Sequence, residues 1–138
     1  MNRRIATTLS IVAAAGAIAV AAGCGSSSSA DVPTAAEMKG TWTFSARGFE
    51  GGRPVSQTGT INVNTVDGPG FGGYEVWKSA TGESGRLPIN GVISPNGDVL
   101  ITDTYAEITG TLSGGTFSGQ YAETGADGAA LNVTGTKN

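Results

Sequence analysis

The sequence predicts an all-β fold. It reads as an antiparallel up-and-down meander of about eight strands closing into a small barrel, preceded by a signal helix and a flexible linker. Three observations carry this. After Gly40, apolar residues recur at every second position in short runs, the period of a strand with one buried face. Clusters of Gly, Asn, Asp and Pro separate those runs at short, regular intervals. No stretch beyond Gly40 holds a helical pattern of useful length. A two-sheet β-sandwich is the alternative that the same pattern allows. Closure is preferred because it leaves no exposed sheet edge.

The runs follow in chain order. Trp42, Phe44 and Ala46 share one face of the first, and Gly59, Ile61 and Val63 one face of the second. Tyr74-Glu75-Val76-Trp77-Lys78 is the third, with Tyr74 and Trp77 on opposite faces. Leu87, Ile89, Gly91 and Ile93 form the fourth; Val99, Ile101 and Asp103 the fifth; Ala106, Ile108, Gly110 and Leu112 the sixth. Phe117, Gly119 and Tyr121 form the seventh, and Leu131, Val133 and Gly135 the eighth. Pro95-Asn96-Gly97, Ser113-Gly114-Gly115 and Gly125-Ala126-Asp127-Gly128 read as tight turns. Glu50 to Pro54 and Asp67 to Gly70 read as looser loops. Gly59, Gly91, Gly110, Gly119 and Gly135 interrupt apolar alternation. Such glycines either bend the strand round a narrow core or make room for an aromatic ring opposite.

Composition excludes several kinds of chemistry. The 138 residues include one Cys and no His, so a Cys/His zinc site, a His-dependent nucleophile and an internal disulfide are all excluded. Eight basic residues face eleven acidic ones, and no basic block is present, which argues against nucleic-acid binding. Gly68-Pro69-Gly70-Phe71-Gly72-Gly73 fits Gly-x-Gly-x-x-Gly, but the residues after it read as strand, not as the helix whose N-terminus would hold a pyrophosphate. Asp103 and Glu107, close to Tyr105, are the carboxylate pair best placed for acid–base work; the expectation is that they are solvated. No calcium-loop spacing is present and no metal site is expected. The chain is expected not to be an enzyme and to use no cofactor.

The N-terminus reads as an address. Arg3 and Arg4 precede an uncharged apolar stretch to Val20, and small residues follow. This is the layout of a secretory signal, and it is at the short edge for a membrane span. Val20-Ala21-Ala22-Gly23-Cys24 resembles the lipobox of bacterial lipoproteins. The resemblance implies that the Cys24 thiol takes a diacylglycerol thioether and that the signal is cut just before it. Residues 1–23 would then be removed, and 24–38 would be the lipidated Cys and a flexible Ser-rich linker. Residues 39–138 would be the barrel domain, held by acyl chains on the extracytoplasmic face of a membrane in the bacterial cell envelope.

Gly40-Thr41-Trp42 resembles the start of the calycins, the lipocalin and avidin group of small barrels. In that group the Trp closes one barrel end, often beneath a basic side chain from the last strand. The resemblance assigns those roles to Trp42 and Lys137. Thr116 to Tyr121 also looks like an avidin-type strand, but the polar constellation with which avidins hold their ligand early in the barrel is not present.

The expected function is a membrane-anchored binding or interaction module for a small apolar ligand or an envelope component. Phe49, Phe71, Tyr74 and Trp77 would stand at the barrel mouth as its site. Two alternatives stay open: a structural lipoprotein with a filled barrel and no ligand, and an inhibitor of secreted proteases. A hollow or filled interior separates the first of these from a binding protein.

Overall fold

The computed structural model describes residues 32–138. The signal segment 1–23, the Cys24 lipidation site and the linker as far as residue 31 lie outside the described residues. A four-residue helix, α1 (Ala35–Met38), precedes eight strands. These are β1 (Gly40–Glu50), β2 (Arg53–Asp67), β3 (Gly70–Ser79), β4 (Ser84–Ile93), β5 (Asp98–Thr102), β6 (Ala106–Ser113), β7 (Thr116–Glu123) and β8 (Ala129–Lys137). Each strand pairs antiparallel with the next, and β8 pairs back onto β1, closing the barrel. The meander and its closure are those the alternation predicts; a sandwich does not form.

Two connections are tighter than the sequence suggests. Glu50 to Pro54 is not a loose loop: Gly51 and Gly52 alone make the turn, with φ of 53° and 76°. Only glycine adopts positive φ at two successive positions so readily, and that geometry suits a two-residue hairpin turn. The ladder therefore continues to the pairs Phe49–Pro54 and Glu50–Arg53. Asp67 to Gly70 is likewise a two-residue turn, which extends β3 back to Gly70 and draws Phe71 into the sheet.

The ordered domain also begins earlier than Lys39. Ala35–Met38, assigned above to the flexible linker, form a helix with Ala35 and Met38 buried at 1% and 2% exposure. The Thr34 N–H donates to Glu37 Oε1 at 3.1 Å, the backward half of a capping box. The indole Nε1 of Trp42 donates to the Met38 carbonyl at 2.7 Å, so the end of the helix is hydrogen-bonded to the first inward side chain of β1.

Inward positions alternate along every strand, and the core is continuous from Met38 and Trp42 through Val63, Phe71, Ile93, Val99, Leu112 and Phe117. Those residues fill the end where α1 sits. Both readings of the in-strand glycines hold there. Phe44 pairs across the ladder with Gly59, and Phe71 with Gly91. A Cβ at Gly59 would come within 2.7 Å of Phe44 Cε1, and one at Gly110 or Gly119 within 2.8 Å of Phe117 Cζ. The same Cβ atoms would also collide with backbone of the adjoining strand, the mark of close coiling. Gly135 is the exception, with only ordinary contacts.

Candidate functional site

The end of the barrel opposite α1 is not filled. The inward faces of β2, β3, β4 and β7 there carry Val55 and Gln57, Glu75 and Trp77, Gly85 and Leu87, and Tyr121 and Glu123. These residues, with rim residues such as Glu50 and Asp127, surround a cavity of about 1040 Å³ open to solvent at its mouth. The barrel is thus packed at one end and hollow at the other.

Glycine again sets the shape. Trp77 pairs across the ladder with Gly85, where a Cβ would stand 2.8 Å from its Nε1. The ring lies over this bare stretch of β4, against the wall, and leaves the lumen open.

Among the described residues, Glu75 is the one charged residue buried to the level of the apolar core, at 5% exposure. Its ladder partners are Ile61 and Leu87. Burial, then the neighbouring Asp103 carboxylate by charge and by hydrogen bonding, raises its pKa to about 7. Asp103 is held in place by the N–H groups of Tyr105 and Ala106, which donate to its Oδ1 at 2.6 Å and 2.9 Å. On β7, the Tyr121 hydroxyl donates to Glu123 Oε2 at 3.0 Å. Burial first, and then that carboxylate, push the phenol above its ordinary range. Among the described residues, no group of three or more His, Cys, Asp or Glu side chains is arranged to hold a metal ion.

The four residues expected at a mouth do not meet there. Trp77 lines the cavity. Phe71 is 5% exposed in the core at the α1 end, because β3 starts at Gly70 and carries it inward. Tyr74 is on the outer wall, where the Arg86 guanidinium carbon sits 3.9 Å from its ring centroid. Phe49 is 60% exposed beside Pro54 on an outer groove of the long β1–β2 hairpin. At the other end, the Lys137 ammonium lies 5.9 Å from the Trp42 ring centroid and donates to the Glu37 carbonyl at 2.6 Å.

Asp103 and Glu107 are not a pair. Glu107 is exposed on the outer face, and the carboxyl that Asp103 influences is that of Glu75. Sequence reading passed over Glu75, although a signal was there: it shares its strand face with Phe71 and Trp77, so burying those rings takes a carboxylate inside with them.

No family model matches the chain, and no curated protein matches it either. Among solved structures, its fold is similar to that of EF1p2_mFAP2b bound to DFHBI. The TM-score is 0.59 at 14% identity, over 76% of this chain and 97% of that one. At this identity the likeness is one of fold alone.

Proposed function

We propose that this protein is a lipid-anchored, extracytoplasmic barrel that binds a small molecule in its open end and catalyses no reaction. The observation that carries the reading is the cavity of about 1040 Å³ walled by Trp77 and floored by Glu75. Its volume is at the upper end of the usual range for small-molecule sites, and apolar Phe44, Val55, Trp77 and Leu87 line it together with a larger set of polar and charged side chains. The binding of DFHBI by a barrel of like fold supports the same reading. A filled barrel without a ligand fits poorly with an open half of this size.

The lipobox-like Val20-Ala21-Ala22-Gly23-Cys24 supports the anchor. The chain comes into the barrel at its closed end, where Pro33 lies against Gly97.

Intact mass of the protein extracted from membranes in detergent, beside its Cys24→Ser variant, tests the anchor. The expected mass begins at Cys24 and carries acyl chains, and the variant loses them. An unmodified chain in the soluble fraction would overturn it. Quenching of indole fluorescence on ligand addition, lost in Trp77→Phe and kept in Lys137→Met at the closed end, tests the site.

A further inference from the structure

We propose that the open-end cavity takes a small organic cation, a protonated amine carried on an apolar body, with the Glu75 carboxylate as its counter-ion and the Trp77 ring as the wall on which the body packs. The inference rests on reading the cavity as a ligand site and names the chemistry of its ligand.

Three independent features point to a cation. Among the lining residues five are acidic and two, Arg53 and Arg86, are basic. Arg53 stands at the rim as the ladder partner of Glu50, and Arg86 is engaged over Tyr74 on the outer wall. Neither basic residue therefore neutralises the floor. An anionic ligand would meet a surplus of like charge.

The second feature is the placing of Glu75. A carboxyl held between Ile61 and Leu87, and beside a second carboxyl, is expensive to ionise unless a cation arrives with the ligand. The groups that face it are Asp103 from the β5–β6 turn and Tyr121 and Glu123 from β7; β4 presents Leu87, and β2 presents Gln57 with Arg53 nearer the mouth. Every charged group in that set except Arg53 carries or can take a negative charge.

The third feature is shape. Trp77 lines the lumen from the same strand, two residues from Glu75, so a ligand can place an apolar body on the ring while its ammonium reaches the carboxyl. Tyr105 and Tyr121 add aromatic surface near the same point, and ring faces attract cations.

The pairing makes affinity depend on pH. With a midpoint near 7, Glu75 is about one-tenth ionised at pH 6 and nine-tenths at pH 8. A ligand that needs the carboxylate then binds about tenfold more weakly at pH 6 than at pH 8.

4-Phenylbutylamine, 4-phenylbutanol and 4-phenylbutyrate share one body and differ only in the charge of the end group. Each is titrated calorimetrically into the purified full chain at pH 6, 7 and 8. The amine is expected to bind at least about tenfold more tightly than the alcohol at pH 8, with the butyrate weakest, and only the amine should weaken about tenfold on going to pH 6. Glu75→Gln should bring the amine down to the level of the alcohol and abolish its pH dependence. Asp103→Asn keeps Glu75 and should move that dependence to lower pH, a readout that does not need the Gln variant to fold. If amine and alcohol bind equally, or the butyrate binds best, and Trp77→Ala weakens all three, the cavity is a ligand site and the cation proposal is wrong. If none of the three binds, both readings fall.

Discussion

Glu75 on β3 lies beside Asp103, which follows the last residue of β5, and the Asp103 carboxylate raises the energy of ionising Glu75 inside the open half of the barrel. Burial is the larger influence on Glu75 and the Asp103 charge the next. The pair ties the stability of the fold to the chemistry of its cavity.

The first prediction is a pH dependence of stability. The folded-state pKa of Glu75 is about 7 against an ordinary value of 4.5. Between these values the folded state holds a proton that the unfolded chain has released, so stability falls as pH rises through this window. The contribution is complete below pH 4.5 and lost above about 7, and the shift is worth about 3 kcal/mol. Glu75→Gln, which carries no charge at any pH, should gain on the native protein as pH rises from 4.5 to 7.5. Parallel melting-temperature profiles for the two proteins would show that Glu75 ionises normally.

The second prediction concerns the glycines that seat aromatic rings. Gly110→Ala places a Cβ 2.8 Å from Phe117 Cζ and 2.6 Å from Gly119 Cα, with backbone on one side that cannot yield. Overpacking of this kind costs about 1–3 kcal/mol. Gly135→Ala, whose Cβ meets nothing closer than 3.7 Å, should cost much less. Denaturant unfolding of the two variants checks the order, and equal losses would mean that the ring contacts do not set it.

A third prediction follows from the closed end. Trp42→Phe removes the donor to the Met38 carbonyl and should cost about 1–3 kcal/mol. Lys137→Met, which loses the exposed bond to the Glu37 carbonyl, should cost less than about 1 kcal/mol. Hydrogen exchange should show α1 opening more readily in the Trp42 variant, with the barrel strands little changed. Unaltered exchange over Ala35–Met38 would mean that the helix does not depend on this bond.

The fold was far more legible than the site, for a physical reason. Strand alternation is a local signal, and Trp42–Phe44–Ala46 or Leu131–Val133–Gly135 shows it without reference to anything distant. Two-residue turns at Gly51-Gly52 and Gly68-Pro69 were less visible, because adjacent Pro and charged residues look like longer loops. The site depends on which strand face points inward and on where along the barrel a residue falls. Neither is local. Phe71 and Trp77 share a face, yet one fills the closed end and the other lines the cavity, since they stand six positions apart along the strand. Asp103 stood out as a carboxylate near Tyr105, but its partner Glu75 comes from a strand that only closure brings near.

The central claim is that the hollow half of the barrel holds a ligand beside Glu75. Carboxyl ¹³C NMR titration of the purified protein, with and without 4-phenylbutylamine, tests it most directly. The Glu75 resonance should titrate with a midpoint near 7 in the free protein and fall by about one unit or more when the amine is bound. A midpoint in the ordinary carboxylate range in the free protein, or one that saturating amine leaves unmoved, would contradict the account.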